Sequence, residues 1–188
     1  MKTLLIIVFS LITIIFTYDR ERAVKYAYQY VHGANHKCGS GSFVCAPYAY
    51  YGDERCGYQN NGGDDTNFVG QCLYAGNHPK LTRGQCSHAR TFCGVEPVTA
   101  HISSCLPNEY GWISTCGYLL PPPSNIKPGD IIIYFSEPGC KGKAHSALVT
   151  KVEKEDVKVT CHSSEQKDVG YSYLKGSLPY YQWLHFPN

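Results

Sequence analysis

The sequence has one Met and two Trp in 188 residues, no C-x2-C pair and no N-x-S/T sequon. Without a C-x2-C pair the cysteines lack the spacing of a structural zinc site. No metal is therefore expected, and no motif points to another cofactor. The missing sequon excludes ordinary N-glycosylation. Charge of either sign is also not in excess: 17 Lys+Arg stand against 15 Asp+Glu, a net +2. A balance so near neutral gives no electrostatic basis for binding nucleic acid. Internal repeats and low-complexity tracts are absent as well.

What is abundant is Cys (10), Gly (18), Pro (11) and Tyr (16), in a chain that is 43% hydrophobic. That apolar share supplies a core and excludes wholesale disorder. Gly, Pro and Tyr in these numbers imply many turns and amphipathic surface rather than a helical bundle. Ten cysteines without zinc spacing imply disulfides, up to five, and hence an oxidising compartment.

The N-terminus agrees with that compartment. Lys2 precedes an apolar run from Leu4 to Phe16. The run is shorter than the roughly 20 residues that cross a bilayer and has the length of a secretory signal peptide. The expected division is a signal peptide over 1–17, cut between Thr17 and Tyr18, and a single domain over 18–188. The mature chain is expected to be secreted or lumenal, with no membrane contact after cleavage.

Helices come first along the chain. Asp19 is a good N-cap, and Ala23, Val24, Ala27, Tyr28 and Val31 recur at helical spacing, which predicts a helix over 19–31 ending at Gly33. A second helix is predicted over 64–75, with Phe68, Gln71, Cys72 and Ala75 on one face and Gly76 at its end. The segments 33–63 and 77–123 are Cys-rich and irregular, with a short helix allowed around 112–120. Strands follow. Ile131 to Phe135 is a continuous apolar run after the turn Lys127-Pro128-Gly129-Asp130. His145 to Val152 and Val157 to His162 flank a charged turn, as in a β-hairpin. Further strands are expected at 171–174 and 181–186. Helices before antiparallel strands give an α+β fold.

A hairpin turn centred near Lys154-Glu155 pairs residue 147 with residue 162, so His145 and His162 would share a face. Two imidazoles facing a helix N-terminus have the layout of a papain-like site, one ring serving as base and the other orienting it. Two ordinary satisfied histidines are the plain alternative.

Several blocks, in order, resemble the putative amidase domain family, within the superfamily of papain-like cell-wall cysteine peptidases and CHAP amidases. Tyr18-Asp19-Arg20 with Ala23-Val24-Lys25-Tyr26-Ala27 resembles the family's opening helix. Gly62-Gly63-Asp64-Asp65-Thr66-Asn67-Phe68-Val69-Gly70-Gln71 resembles its nucleophile helix, usually G-G-D-C-T-N-F-V-S-Q. Trp112 stands where a Trp is expected. Pro128-Gly129-Asp130-Ile131-Ile132 resembles the following strand, Ala144-His145-Ser146-Ala147-Leu148-Val149-Thr150 the catalytic His strand, and His162-Ser163 the end that carries the third member.

The resemblance implies a papain-like amidase fold, helices packed on an antiparallel sheet and rich in disulfides. It places the catalytic positions at Asp65, His145 and His162, and substrate-binding positions at Asp64, Asn67 and Trp112. It also implies a peptide or peptidoglycan-like ligand. Asp65 departs from the pattern, because the family has its nucleophilic Cys there. Attack of a carboxylate on an amide gives an anhydride that returns to reactant, whereas Asp at a helix start has a structural use as a cap. The expected function is a catalytically inactive relative that keeps a binding cleft. The alternatives are an active hydrolase using Asp65, His145 and His162, and a disulfide-crosslinked structural protein. Asp65 is expected beside the His145 ring, raising its pKa, with His162 on that ring's other side.

Overall fold

The computed structural model describes residues 17–32, 65–77, 112–113, 115–154, 156–162 and 165–186. The apolar N-terminal run, Asp64 and the Cys-rich stretches 33–61 and 78–110 lie outside the described residues. Among these residues two helices, α1 (Arg20–Tyr30) and α2 (Asp65–Ala75), precede seven strands: β1 (Trp112–Ile113), β2 (Gly117–Tyr118), β3 (Ile131–Glu137), β4 (Lys141–Glu153), β5 (Asp156–Cys161), β6 (Gln166–Gly170) and β7 (Tyr180–His185). The strands form one antiparallel sheet in the order β1-β7-β3-β4-β5-β6, with β2 also pairing with β7. The fold is α+β. No described helix is long and apolar enough to cross a membrane.

Both faces of the sheet are covered, which is why Ile131 to Phe135 is apolar or aromatic at every position and buried throughout. Alternation sends Ile131, Ile133 and Phe135 to the helices, where they meet Ala23, Ala27, Phe68, Val69, Cys72 and Leu73. Ile132 and Tyr134 point the other way, into a second cluster with Ala147, Val159, Tyr181 and Trp183. Tyr171, Tyr173, Leu174 and Leu178 pack over that second face. The strand expected at 171–174 is therefore corrected: these residues are turns that lay aromatic rings on the sheet, and the edge strand is β6. The short helix allowed around 112–120 is corrected too, because Trp112 and Gly117 pair with β7 opposite His185 and Tyr181.

The N-terminal helix is tied to the start of β3 through polar groups. The Asp19 side chain caps α1 by accepting from the Arg22 N–H at 2.9 Å. The next residue, Arg20, donates to the fully buried Asp130 carboxylate at 2.7 Å and to the carbonyls of Pro128 and Phe186. Asp130 also accepts from the N–H of Lys127 and of Phe186, and it bonds Nδ1 of His185 at 2.7 Å. Tyr18 donates to the carbonyl of Gly129 at 2.8 Å. Gly129 has a φ of 89°, a conformation natural to glycine. Four donors around one buried carboxylate meet the condition under which such a charge is tolerated. The end of α2 is held in the same region. Asp19 N–H donates to the Gly76 carbonyl at 2.7 Å, and a Cβ on Gly76 would come within 2.6 Å of the Asp19 oxygen.

Among the described residues one disulfide, Cys116–Cys140, joins the segment before β2 to the β3–β4 turn. Cys72 and Cys161 are buried and not disulfide-bonded. That corrects the expectation of up to five bonds, since the other eight cysteines allow four at most. Cys72, on α2, lies in the helix-side cluster and Cys161 in the opposite one, so the sheet separates the two thiols.

Candidate functional site

Asp65 opens α2, where the unpaired amides and the helix dipole favour a negative charge. Its carboxylate reaches β4 beyond the point where β5 pairs with that strand, a pairing that begins at Leu148. There Oδ2 accepts the Ser146 backbone N–H at 2.7 Å and the Ser146 hydroxyl at 3.2 Å. The same oxygen stands 3.6 Å from Nδ1 of His145. That separation is an electrostatic contact, too long for a hydrogen bond. Asp65 thus bonds both the Ser146 amide and its hydroxyl, and it fastens the start of α2 to the sheet.

His145 and Ser146, as neighbours on a strand, point to opposite faces. Ser146 is fully buried on the helix side, while His145 pairs with Tyr134 across β3 and β4 on the other. The imidazole is bounded by Tyr134 at 6.1 Å and Tyr173 at 6.4 Å between ring centres. Its side chain keeps 13% exposure. Burial pushes the His145 pKa down, and the Asp65 charge raises it by less. The expectation of a raised pKa is therefore corrected: desolvation of the imidazolium outweighs attraction to a carboxylate that does not hydrogen-bond to it. Nε2 of His145 has no hydrogen-bond partner among the described residues.

His162 is not placed as expected. A bulge between Val149 and Lys151 shifts the register of β4 against β5 by one residue, and a shift of one exchanges the faces. His162 consequently falls on the helix side, stacked on Phe68 of α2 at 5.2 Å with the rings 7° from parallel. The imidazole expected to orient His145 lies across the sheet from it. Of the expected substrate-binding positions, Asn67 is on α2 and Trp112 on β1. Asp64 is outside the described residues.

None of the described cysteines offers an accessible thiol. Cys72 is fully buried two turns along α2, and burial drives its pKa well up. Cys161 lies 3.0 Å from the Tyr173 hydroxyl on the far face, and Cys116 and Cys140 are bonded to each other. No group of His, Cys, Asp or Glu among the described residues is arranged to hold a metal ion.

Sequence reasoning missed Ser146 and the rings that line His145. Ser146 carried a usable signal, being the polar residue between Ala144 and Leu148 on the face of β4 that looks toward the helices.

The chain matches the family described as "putative amidase domain" over residues 17–183, nearly its whole length, and it belongs to that family. No curated protein and no solved structure gives a significant match.

Proposed function

We propose that the chain is a secreted, non-hydrolytic member of the amidase family that binds a peptide or cell-wall fragment without cleaving it. The observation that carries this reading is the double bond-making of Asp65 Oδ2 to the Ser146 amide and hydroxyl. By the motif resemblance, Asp65 stands at the nucleophile position. To attack an amide it would have to release a buried backbone N–H, at a cost of about 1–3 kcal/mol. The product would be an anhydride, and the intermediate would expel the carboxylate again rather than an amine. A neutral His145 beside it has no thiol to deprotonate.

The helix start set over a strand bearing His145 supports a papain-like arrangement. The Cys116–Cys140 bond and the apolar run at 4–16 support secretion, since such bonds persist in oxidising compartments. Muropeptides from a peptidoglycan digest, titrated by calorimetry while new amino groups are assayed, test the reading. Saturable binding without amine release is expected. Amine release that disappears in His145→Ala overturns it.

A further inference from the structure

The face of the sheet turned away from the helices carries a row of polar atoms that nothing accounts for. Tyr181, Tyr134 and His145 are directly paired neighbours on β7, β3 and β4. Tyr134 and Tyr181 are fully buried. The two phenol oxygens and Nε2 of His145 have no hydrogen-bond partner among the described residues. Folded proteins leave few such atoms unpaired, and each one left so costs stability. Three on adjacent strands form a concentration that packing does not explain, because Phe would fill the same space at 134 and 181. The ring of Tyr173 closes over the row, 5.7 Å from Tyr134 and 6.4 Å from His145, while its hydroxyl is engaged with Cys161.

We propose that Tyr134, Tyr181 and His145 form a binding site for an uncharged amide group, entered beside His145. This rests on the non-hydrolytic amide-binding reading above and names the chemistry of its ligand. Asp65 faces Nδ1 of His145, so the neutral ring keeps its proton on that nitrogen and offers Nε2 as an acceptor. Burial holds the Tyr134 phenol protonated and pushes the Tyr181 pKa up to about 12, so both phenols donate. One acceptor beside two donors matches the N–H and C=O of an amide. Among the described residues the wall carries no cation to hold a carboxylate, and its desolvation penalises any charged ligand. A cation gains from Asp65 only through the imidazole ring.

The isosteric series acetamide, acetate and acetamidinium tests this on the intact protein, read from the His145 nitrogen shifts by NMR. Acetamide should shift Nε2 saturably, and each charged analogue should bind at least about tenfold more weakly. Tyr134→Phe and Tyr181→Phe should each weaken acetamide by about tenfold or more. No saturable Nε2 shift, or acetate binding as well as acetamide, overturns the site. So does a higher melting midpoint in both Phe variants with acetamide binding unchanged, since the phenols would then be merely unsatisfied. Ammonia appearing in the acetamide sample is a separate result: it counts against the non-hydrolytic reading and leaves the site standing.

Discussion

The Asp65 carboxylate lies 3.6 Å from Nδ1 of His145, yet the oxygen making that approach is bonded to the backbone of Ser146, the next residue along the strand. The side chain that opens α2 thereby holds the helix on the sheet.

The Asp65–Ser146 bonds should be measurable as stability. Asp65→Ala leaves a buried N–H unpaired and removes a charge-assisted acceptor, and should cost about 2–3 kcal/mol in urea unfolding. Asp65→Asn keeps an acceptor for the amide and should cost distinctly less. Equal losses in the two variants would mean that the Ser146 bond contributes little.

The His145 pKa should lie below the ordinary histidine value of about 6.5. Because Asp65 raises it, Asp65→Asn should lower it further, as an imidazole titration by NMR would show. The consequence for stability has a definite sign. Below about pH 6.5 the unfolded chain binds a proton that the folded one refuses, so this group makes stability fall as pH drops from 6.5 toward the folded pKa. His145→Gln should flatten that part of the curve.

Arg20 should be the most sensitive position in α1. Asp130 is fully buried, and Arg20→Met removes the cation beside it. Breaking such a pair typically costs about 3–5 kcal/mol. The double variant Arg20→Met/Asp130→Asn should recover part of the loss, because no uncompensated charge remains. A single-variant loss below about 1 kcal/mol, the range of exposed pairs, would contradict the role given to this hub.

The thiols give a redox map. Peptides carrying Cys72 and Cys161 should be alkylated only after denaturation, without reductant, since both thiols are fully buried and not disulfide-bonded. Cys116 and Cys140 should be recovered as a linked pair. Alkylation of Cys161 in the native protein would show that the Tyr173 cover opens.

Much of this fold is legible from local pattern. Asp19 as a cap, Gly76 as a stop and the uninterrupted Ile131–Phe135 run each state their role through short-range chemistry, and α1, α2 and β3 follow from them. The proximity of Asp65 to His145 follows from the motif order. The placement of His162 does not, because one bulge near Thr150 exchanges the faces and no residue there announces it. Tyr171 and Tyr173 read as strand by composition, yet they are turn residues whose rings are used from above the sheet. The Arg20–Asp130 bond spans 110 positions, and nothing local to either residue reveals the other.

Under the non-hydrolytic reading, Asp65 holds and does not attack. An attacking carboxylate would pass through an anhydride, and hydrolysis at that carboxyl would leave solvent oxygen in the side chain. The protein can be incubated with muropeptides in heavy-oxygen water, digested, and the peptide containing Asp65 weighed. No heavy oxygen is expected in that peptide beyond a control without muropeptide. Incorporation at Asp65 that depends on the muropeptide and is lost in His145→Ala would contradict it.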